Sequence, residues 1–433
     1  MAHETGEGIS VEALNIQGGR ALRGELTVQG AKNSVLPLLA ATLLGSGRSV
    51  IRNCPGLTDV TASLDILRHL GCSVETVGDT VAVDAGTLRA CEIPEALMRA
   101  MRSSVIFLGP LLARLGMAGM CYPGGCELGP RPIDLHLEAL RALGSEVSEG
   151  TDGLRCAAVC LRGSDIALSL PSVGATENAM LAATAAKGVT TIQNAAREPE
   201  IVQLQDFLRS MGADVRGAGT SVITVRGSGG RPLDGGEVTV MGDRIVAATY
   251  LSCAAAAGGE ICLKGVDYCQ LSPVSAILAE AGCLVRSEGD EITLKRDPAL
   301  PLKAVRPVRT APYPGFPTDA QAPVMASLCT ARGATMFVEN MFSSRYRHID
   351  ELRKMGADIR TEGRVAVVCG VERLHAAALE AHDLRGGAAL AVAALGAEGE
   401  STIYGLRHIR RGYADLVRDL TALDAKVYLA EKE

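Results

Sequence analysis

One pattern recurs six times along the chain and limits its fold more than any other feature. A stretch with helical spacing of apolar residues runs into a small-residue turn and then an alternating, strand-like segment. The six copies are LDILRHLGCSVETVGDTVAVD, HLEALRALGSEVSEGTDGLRCAAV, LQDFLRSMGADVRGAGTSVITVRG, SAILAEAGCLVRSEGDEITLKR, DELRKMGADIRTEGRVAVVCG and VRDLTALDAKVYLAE. Their turn residues, Gly71, Gly144, Gly212, Gly282, Gly356 and Asp424, return about every 70 residues. Solenoid repeats are shorter, roughly 20–50 residues, so each copy is a larger structural unit than a solenoid turn.

A second element lies between the turns. Stretches such as AKNSVLPLLAATLLGSGRSVI, GATENAMLAATAAKGVTTIQN and DLRGGAALAVAALGAEGESTIY read as an Ala/Leu-rich helix, a glycine and a short β-branched strand. Each unit is then strand, helix, strand, helix and a two-stranded hairpin, an α/β chain of six βαβαββ units. The Ala/Leu helices have no wide polar face and are predicted to be buried, with the amphipathic helices outside them. Aromatic residues make up only 3% of the 433-residue chain and Trp is absent, so the core must be built from Ala, Val, Leu and Ile. A chain of this length predicts roughly two to four domains.

Charge and cysteine usage narrow the class. The net charge is -6 with both signs mixed throughout, so no basic stripe exists to neutralise a phosphate backbone and no nucleic-acid partner is expected. The thirteen cysteines form no CxxC pair and the N-terminal residues show no signal pattern, which reads as a cytoplasmic chain with reduced thiols. The longest apolar runs are too short to span a bilayer, so no membrane partner is expected either.

Chemistry gathers where the buried helices start. Those positions read Lys32-Asn33, Arg102-Ser103, Thr176-Glu177, Asp243-Arg244, Thr318-Asp319 and Asp383-Arg385. Asp, Asn, Ser and Thr there cap free N–H groups, and Asp243 and Asp383 are read first in that way. Cations are different, because the helix dipole disfavours positive charge at an N-terminus. Lys32, Arg102, Arg244 and Arg385 therefore read as anion receptors. If such ends converge they make an electropositive cleft, and the substrates it takes are anionic and phosphorylated.

Several longer motifs carry a resemblance: QGAKNSVLPLLAATLL, MRSSVIFLGPLLAR, PGGCELGPRPIDLH, PSVGATENAML, NAAREPEIVQL, FPTDAQAP, SSRYRHIDELRKMGA, DLRGGAALAVAAL and RRGYADL. In order and spacing, from about Ile16 to Tyr428, the chain resembles the enolpyruvyl transferases, and among them the branch acting on UDP-N-acetylglucosamine. The resemblance implies a two-domain inside-out α/β barrel, with domain I over 32–240, domain II over 1–31 plus 241–433, and the active site in the cleft between them. It also implies transfer of the enolpyruvyl group of phosphoenolpyruvate to the 3-hydroxyl of UDP-N-acetylglucosamine with release of phosphate. That is the first committed step of peptidoglycan synthesis, run by a monomer with neither metal nor cofactor. Two alternatives stay open: the sister enzyme that uses 3-phosphoshikimate, which lacks the PGGC loop, and a non-catalytic paralogue that binds nucleotide sugar.

Residue roles follow from the same resemblance. Cys126 matches the proton donor, a thiol able to form an adduct with phosphoenolpyruvate and to be alkylated by fosfomycin; its alternative is a small hydrophobe in a turn. Asp319 matches the aspartate at the sugar hydroxyl, as general base or orienting acceptor. Lys32, Arg131 and Arg411 match the cations on the donor phosphate, with Asn33 and Arg385 beside them, although Arg411 also fits a surface ion pair. Arg102, the run Arg131, Pro132, Ile133, Asp134 and Leu135, the run Ser172, Val173 and Gly174, and the backbone of Met341 match the nucleotide-sugar site, to which Asp319 also belongs. Phe342 follows as a packing neighbour of the sugar. The chain departs from the family pattern at Val246, Arg410 and Ala414, where acids are usual.

Overall fold

The six turns are closed in one way. Each turn residue has positive φ: Gly71 100°, Gly144 92°, Gly212 91°, Gly282 112°, Gly356 92° and Asp424 61°. The N–H of the following residue returns to a leucine carbonyl five positions back, as in Cys72 to Leu67 at 3.0 Å and Ala425 to Leu420 at 3.0 Å. The same bond joins Ser145 to Leu140, Ala213 to Leu208, Cys283 to Leu278 and Ala357 to Leu352. This left-handed helix stop satisfies carbonyls that would otherwise be orphaned and turns the chain into its hairpin. Asp424 adopts the conformation without glycine because Asp tolerates the left-handed region better than most residues. All six leucines are buried, so each stop is also a core anchor; truncating one to Ala costs about 2–5 kcal/mol.

The structure, a computed structural model, describes residues 11–121, 133–151 and 153–432. Among them six four-stranded sheets form, each with one parallel and two antiparallel pairings. Three are built from contiguous chain, as in Asp165–Ala167, Val189–Gln193, Asp214–Arg216 and Val222–Arg226. The other three correct the picture of six contiguous units. Glu237–Thr239 lies parallel to Arg48–Arg52, and Leu22–Thr27 lies parallel to Gly259–Lys264. Val11–Gln17 inserts antiparallel between Glu400–Tyr404 and Lys426–Lys432. The repeats are thus closed by strands from distant chain, a pairing that local periodicity cannot encode.

The chain divides into two compact units. One takes Gln29–Asp243 with Pro312–Pro314, and the other takes Met1–Val28, Arg244–Ala311 and Gly315–Glu433. In the second unit the helices Arg244–Ala257, Thr318–Ser327 and Leu384–Gly396 pack on one another, and nearly every residue of all three is buried. In the first unit Lys32–Ala41 and Val173–Ala183 are similarly buried, and Leu108–Leu115 packs on the latter. The small side chains allow close approach: a Cβ on Gly109 would lie 2.7 Å from the Asn178 carbonyl oxygen. Helices with one buried face, such as Thr58–Leu70 and Pro199–Ser210, form the outer layer. No helix among the described residues is long and apolar enough to cross a membrane.

Candidate functional site

The site residues fall into two groups, one in each unit. In the first, Lys32 opens the helix Lys32–Ala41, whose N-terminal residue Ala31 supplies no side-chain cap. Capping comes from afar instead, because Asp243 Oδ2 accepts the Lys32 backbone N–H at 3.0 Å. Asp243, read as a cap for its own helix, accepts here from the start of another one. The Lys32 ammonium lies 2.6 Å from Asp59 Oδ2, with side-chain exposures of 9% and 1%. Asp59 sits in the first turn of Thr58–Leu70. A buried cation at a helix start needs such a carboxylate, since both the dipole and desolvation oppose it. Asn33 is half-buried beside it.

A buried amide organises the rest of this group. Asn178 Oδ1 accepts the Gly109 N–H at 2.8 Å, so its NH2 donates to the Val105 carbonyl at 2.9 Å and to His136 Nδ1 at 2.8 Å. With Nδ1 accepting, the neutral His136 ring carries its proton on Nε2. His136 follows directly on Ile133, Asp134 and Leu135, the start of helix Asp134–Ala142. A Cβ on Gly174 would come 2.8 Å from His136 Cε1, so glycine is required there by packing. Ser172 caps helix Val173–Ala183 by accepting the Ala175 N–H at 3.3 Å. Asn178 thereby brings together Ile133–Leu135, Ser172–Gly174 and the turn Arg102–Phe107. The Arg102 side chain lies outside the described residues, as do Cys126, Arg131 and Pro132.

Glu177, next to Asn178, is buried, and its Oε1 has no hydrogen-bond partner among the described residues. Burial first, then the neighbouring Glu200 and Glu198, push its carboxyl well above the usual range. That burial favours its protonated form.

In the second group Asp319 stands between two guanidiniums. Arg345 donates to Asp319 Oδ1 at 2.6 Å and to the Thr318 carbonyl at 3.2 Å, while Arg385 donates to Asp319 Oδ2 at 3.2 Å. The arginine side chains are 2% and 3% exposed and the aspartate 26%. Pro317 is the N-cap and Asp319 the second helical residue, with its carboxylate turned to the arginines. Two cations on one carboxylate favour its ionised form, suited to accepting a hydrogen bond from a hydroxyl. Asp383 does cap, accepting the Arg385 and Gly386 N–H groups at 3.0 and 2.9 Å. Tyr413 lies under Arg385 with its ring centre 6.0 Å from the guanidinium carbon.

Two other predicted residues belong to the same unit. Arg411 is half-buried just past helix Leu406–Ile409, and Met341 is exposed. Of the departures from the family pattern, Val246 is fully buried, Ala414 is half-buried, and Arg410 reaches the carboxylate of Glu12 at 2.6 Å on the surface. Among the described residues every cysteine is a free thiol, and no cluster of three or more His, Cys, Asp or Glu could hold a metal.

Sequence reasoning missed Arg345, Asp59, His348 and Glu339. Arg345 lies inside the quoted motif SSRYRHIDELRKMGA, yet nothing local separates it from Arg347, which is exposed. His348 is buried, and neither ring nitrogen has a well-formed hydrogen bond among the described residues. Burial above all, opposed by Asp383 and helped by Arg345, lowers its pKa to about 4.

Comparison with known proteins decides the family. The model of the EPSP synthase (3-phosphoshikimate 1-carboxyvinyltransferase) family matches residues 16–420. The chain belongs to this family of enolpyruvyl transferases. A relative in Caldanaerobacter subterraneus subsp. tengcongensis, UDP-N-acetylglucosamine 1-carboxyvinyltransferase 2, is 48% identical over 96% of this chain and 98% of its own. UDP-N-acetylglucosamine 1-carboxyvinyltransferase 1 of Symbiobacterium thermophilum is also 48% identical, over 96% of this chain and 95% of its own. Among solved structures, the enolpyruvyl transferase NikO from Streptomyces tendae matches 98% of this chain and 100% of its own at 26% identity, with a TM-score of 0.88. EPSP synthase from Acinetobacter baumannii, at 20% identity, shares the fold over 97% of this chain and 100% of its own with a TM-score of 0.72. The six small sheets and buried helices are this family's fold.

Proposed function

We propose that the chain transfers the enolpyruvyl group of phosphoenolpyruvate to the 3-hydroxyl of UDP-N-acetylglucosamine and releases phosphate. The observation that carries this reading is near-full-length identity of 41–48% to relatives named for that reaction. The reaction opens peptidoglycan synthesis, and we place it in the cytoplasm with a monomer as the working form.

The residues support a division of labour. Lys32, held against Asp59, together with Arg131 and Arg411, takes the donor phosphate, with Asn33 and Arg385 alongside. Cys126 delivers a proton to C3 of phosphoenolpyruvate as the sugar oxygen attacks C2. Asp319, fixed by Arg345 and Arg385, accepts the hydroxyl's hydrogen bond and takes its proton. The tetrahedral intermediate then returns one C3 proton to the Cys126 thiolate and expels phosphate, which carries away the proton taken by Asp319, leaving the enol ether. Ile133–Leu135 and Ser172–Gly174, tied together through Asn178 and His136, hold the nucleotide end with Arg102, and Met341 contributes its backbone. Helix N-terminal N–H groups near Ser172 suit a diphosphate.

Phosphate release from phosphoenolpyruvate tests the reading directly. Release is expected with UDP-N-acetylglucosamine and not with 3-phosphoshikimate. No release with the nucleotide sugar between pH 6 and 9 refutes it.

A further inference from the structure

Glu339 follows the strand Ala334–Val338 and is 1% exposed. Its carboxylate accepts four hydrogen bonds from its own chain. Oε1 takes the Met341 N–H at 2.8 Å, the Phe342 N–H at 3.1 Å and the Thr310 hydroxyl at 3.1 Å. Oε2 takes the Thr318 hydroxyl at 3.0 Å. Four donors fill the acceptor capacity of a carboxylate, which makes its burial tolerable.

Besides Thr310, which follows the short strand Val308–Arg309, the donors belong to two segments with different tasks. Two lie in the loop that presents Met341, and one lies on Thr318, the residue before Asp319. The connection also closes on its far side. The Phe342 ring centre is 5.6 Å from the Arg345 guanidinium carbon, and Arg345 grips both the Thr318 carbonyl and the Asp319 carboxylate. Glu339, Thr318, Asp319, Arg345 and Phe342 form one ring of contacts.

We propose that Glu339 is a positioning residue that sets the distance between the nucleotide-sugar loop and Asp319, and so places the acceptor hydroxyl on its base. This rests on the roles given above to Asp319 and Met341. The two arms of the carboxylate act separately: Oε1 fixes the loop, and Oε2 fixes the start of the Thr318 helix. A displacement on the order of 1 Å at either end is enough to lower a rate by about 100-fold.

Steady-state kinetics on the full chain separate the arms. Thr318→Val cuts only the Oε2 arm and is expected to lower kcat by about tenfold, with KM for UDP-N-acetylglucosamine changed by less than about twofold. Glu339→Ala cuts both and is expected to raise that KM about tenfold as well as lower kcat, with KM for phosphoenolpyruvate little changed. Glu339→Gln recovers most of the loss, because its amide oxygen still takes the two loop N–H groups and the Thr318 hydroxyl can turn to accept from the new NH2. A merely structural staple lowers thermal stability in all these variants without the kcat-against-KM split. Should Glu339→Ala fail to fold, Thr318→Val decides alone, and an unchanged kcat overturns the proposal. Asp319→Asn is the control: if it keeps full kcat, the site reading itself fails, whereas an inactive Asp319→Asn with a fully active Thr318→Val rejects only the role of Glu339.

Discussion

Acidification is expected to weaken this chain through a residue that performs no chemistry. His348 is buried between Arg345 and Asp383, and its folded pKa is about 4 against 6.5 when exposed. Between those values the unfolded chain binds a proton that the folded chain refuses. The contribution is present in full above pH 6.5 and is lost as pH falls through 4. The difference between about 4 and 6.5, at about 1.36 kcal/mol per pH unit, gives about 3 kcal/mol lost between pH 7 and pH 4. That is a large fraction of a typical domain's stability. Protonation would also set a second cation beside Arg345, next to the Asp319 pair. The assay is an NMR titration of the histidine Cε1–H signals, with His348 assigned by its disappearance in His348→Asn. Denaturant unfolding of both proteins from pH 7 to 4 follows, the wild type losing about 3 kcal/mol more than the variant. A His348 titrating at or above pH 6.5, or parallel losses in the two proteins, refutes the reasoning.

Fosfomycin is expected to add one adduct, on Cys126, and to be without effect on Cys126→Ala; intact-mass and peptide spectra placing the adduct on another cysteine, or nowhere, contradict this. Glu177→Gln is expected to stabilise the chain at neutral and alkaline pH, because the folded carboxyl titrates above its unfolded value and its stability contribution is lost as pH rises through the folded pKa. The variant should flatten that part of the stability profile in thermal melts from pH 5 to 9, and an unchanged slope counts against a buried neutral acid.

The repeat was legible because its signal is local. Helical spacing, a stop residue and an alternating hairpin all fall within about 20 residues, and the same leucine-to-turn bond recurs at each stop. The strands that complete three of the sheets were not legible in the same way. Glu237–Thr239 pairs with Arg48–Arg52 across most of a unit, and only the folded chain specifies that register. The site divides likewise. Lys32, Arg385 and Asp319 announced themselves as charges at starts of apolar helices. Asp59, Arg345 and Glu339 sit among other polar residues on the surface-like parts of their segments and become distinctive only through a partner far along the chain. Capping was read correctly at Asp383, while the Asp243 carboxylate takes a donor from a distant helix, since a helix-start carboxylate has the same sequence signature whichever donor it takes.

The strands Val11–Gln17 and Leu22–Thr27 are made long before the strands they pair with. Leu22–Thr27 has no sheet until Gly259–Lys264 has left the ribosome, and Val11–Gln17 waits for Glu400–Tyr404 and Lys426–Lys432. At about 5–20 residues per second the first delay alone is tens of seconds. The three sheets of the Gln29–Asp243 unit close meanwhile, once Glu237–Thr239 emerges. Synthesis of this chain therefore completes its middle before its beginning, and for that interval the nascent N-terminal strands present open edges that a chaperone or a neighbouring nascent chain can capture.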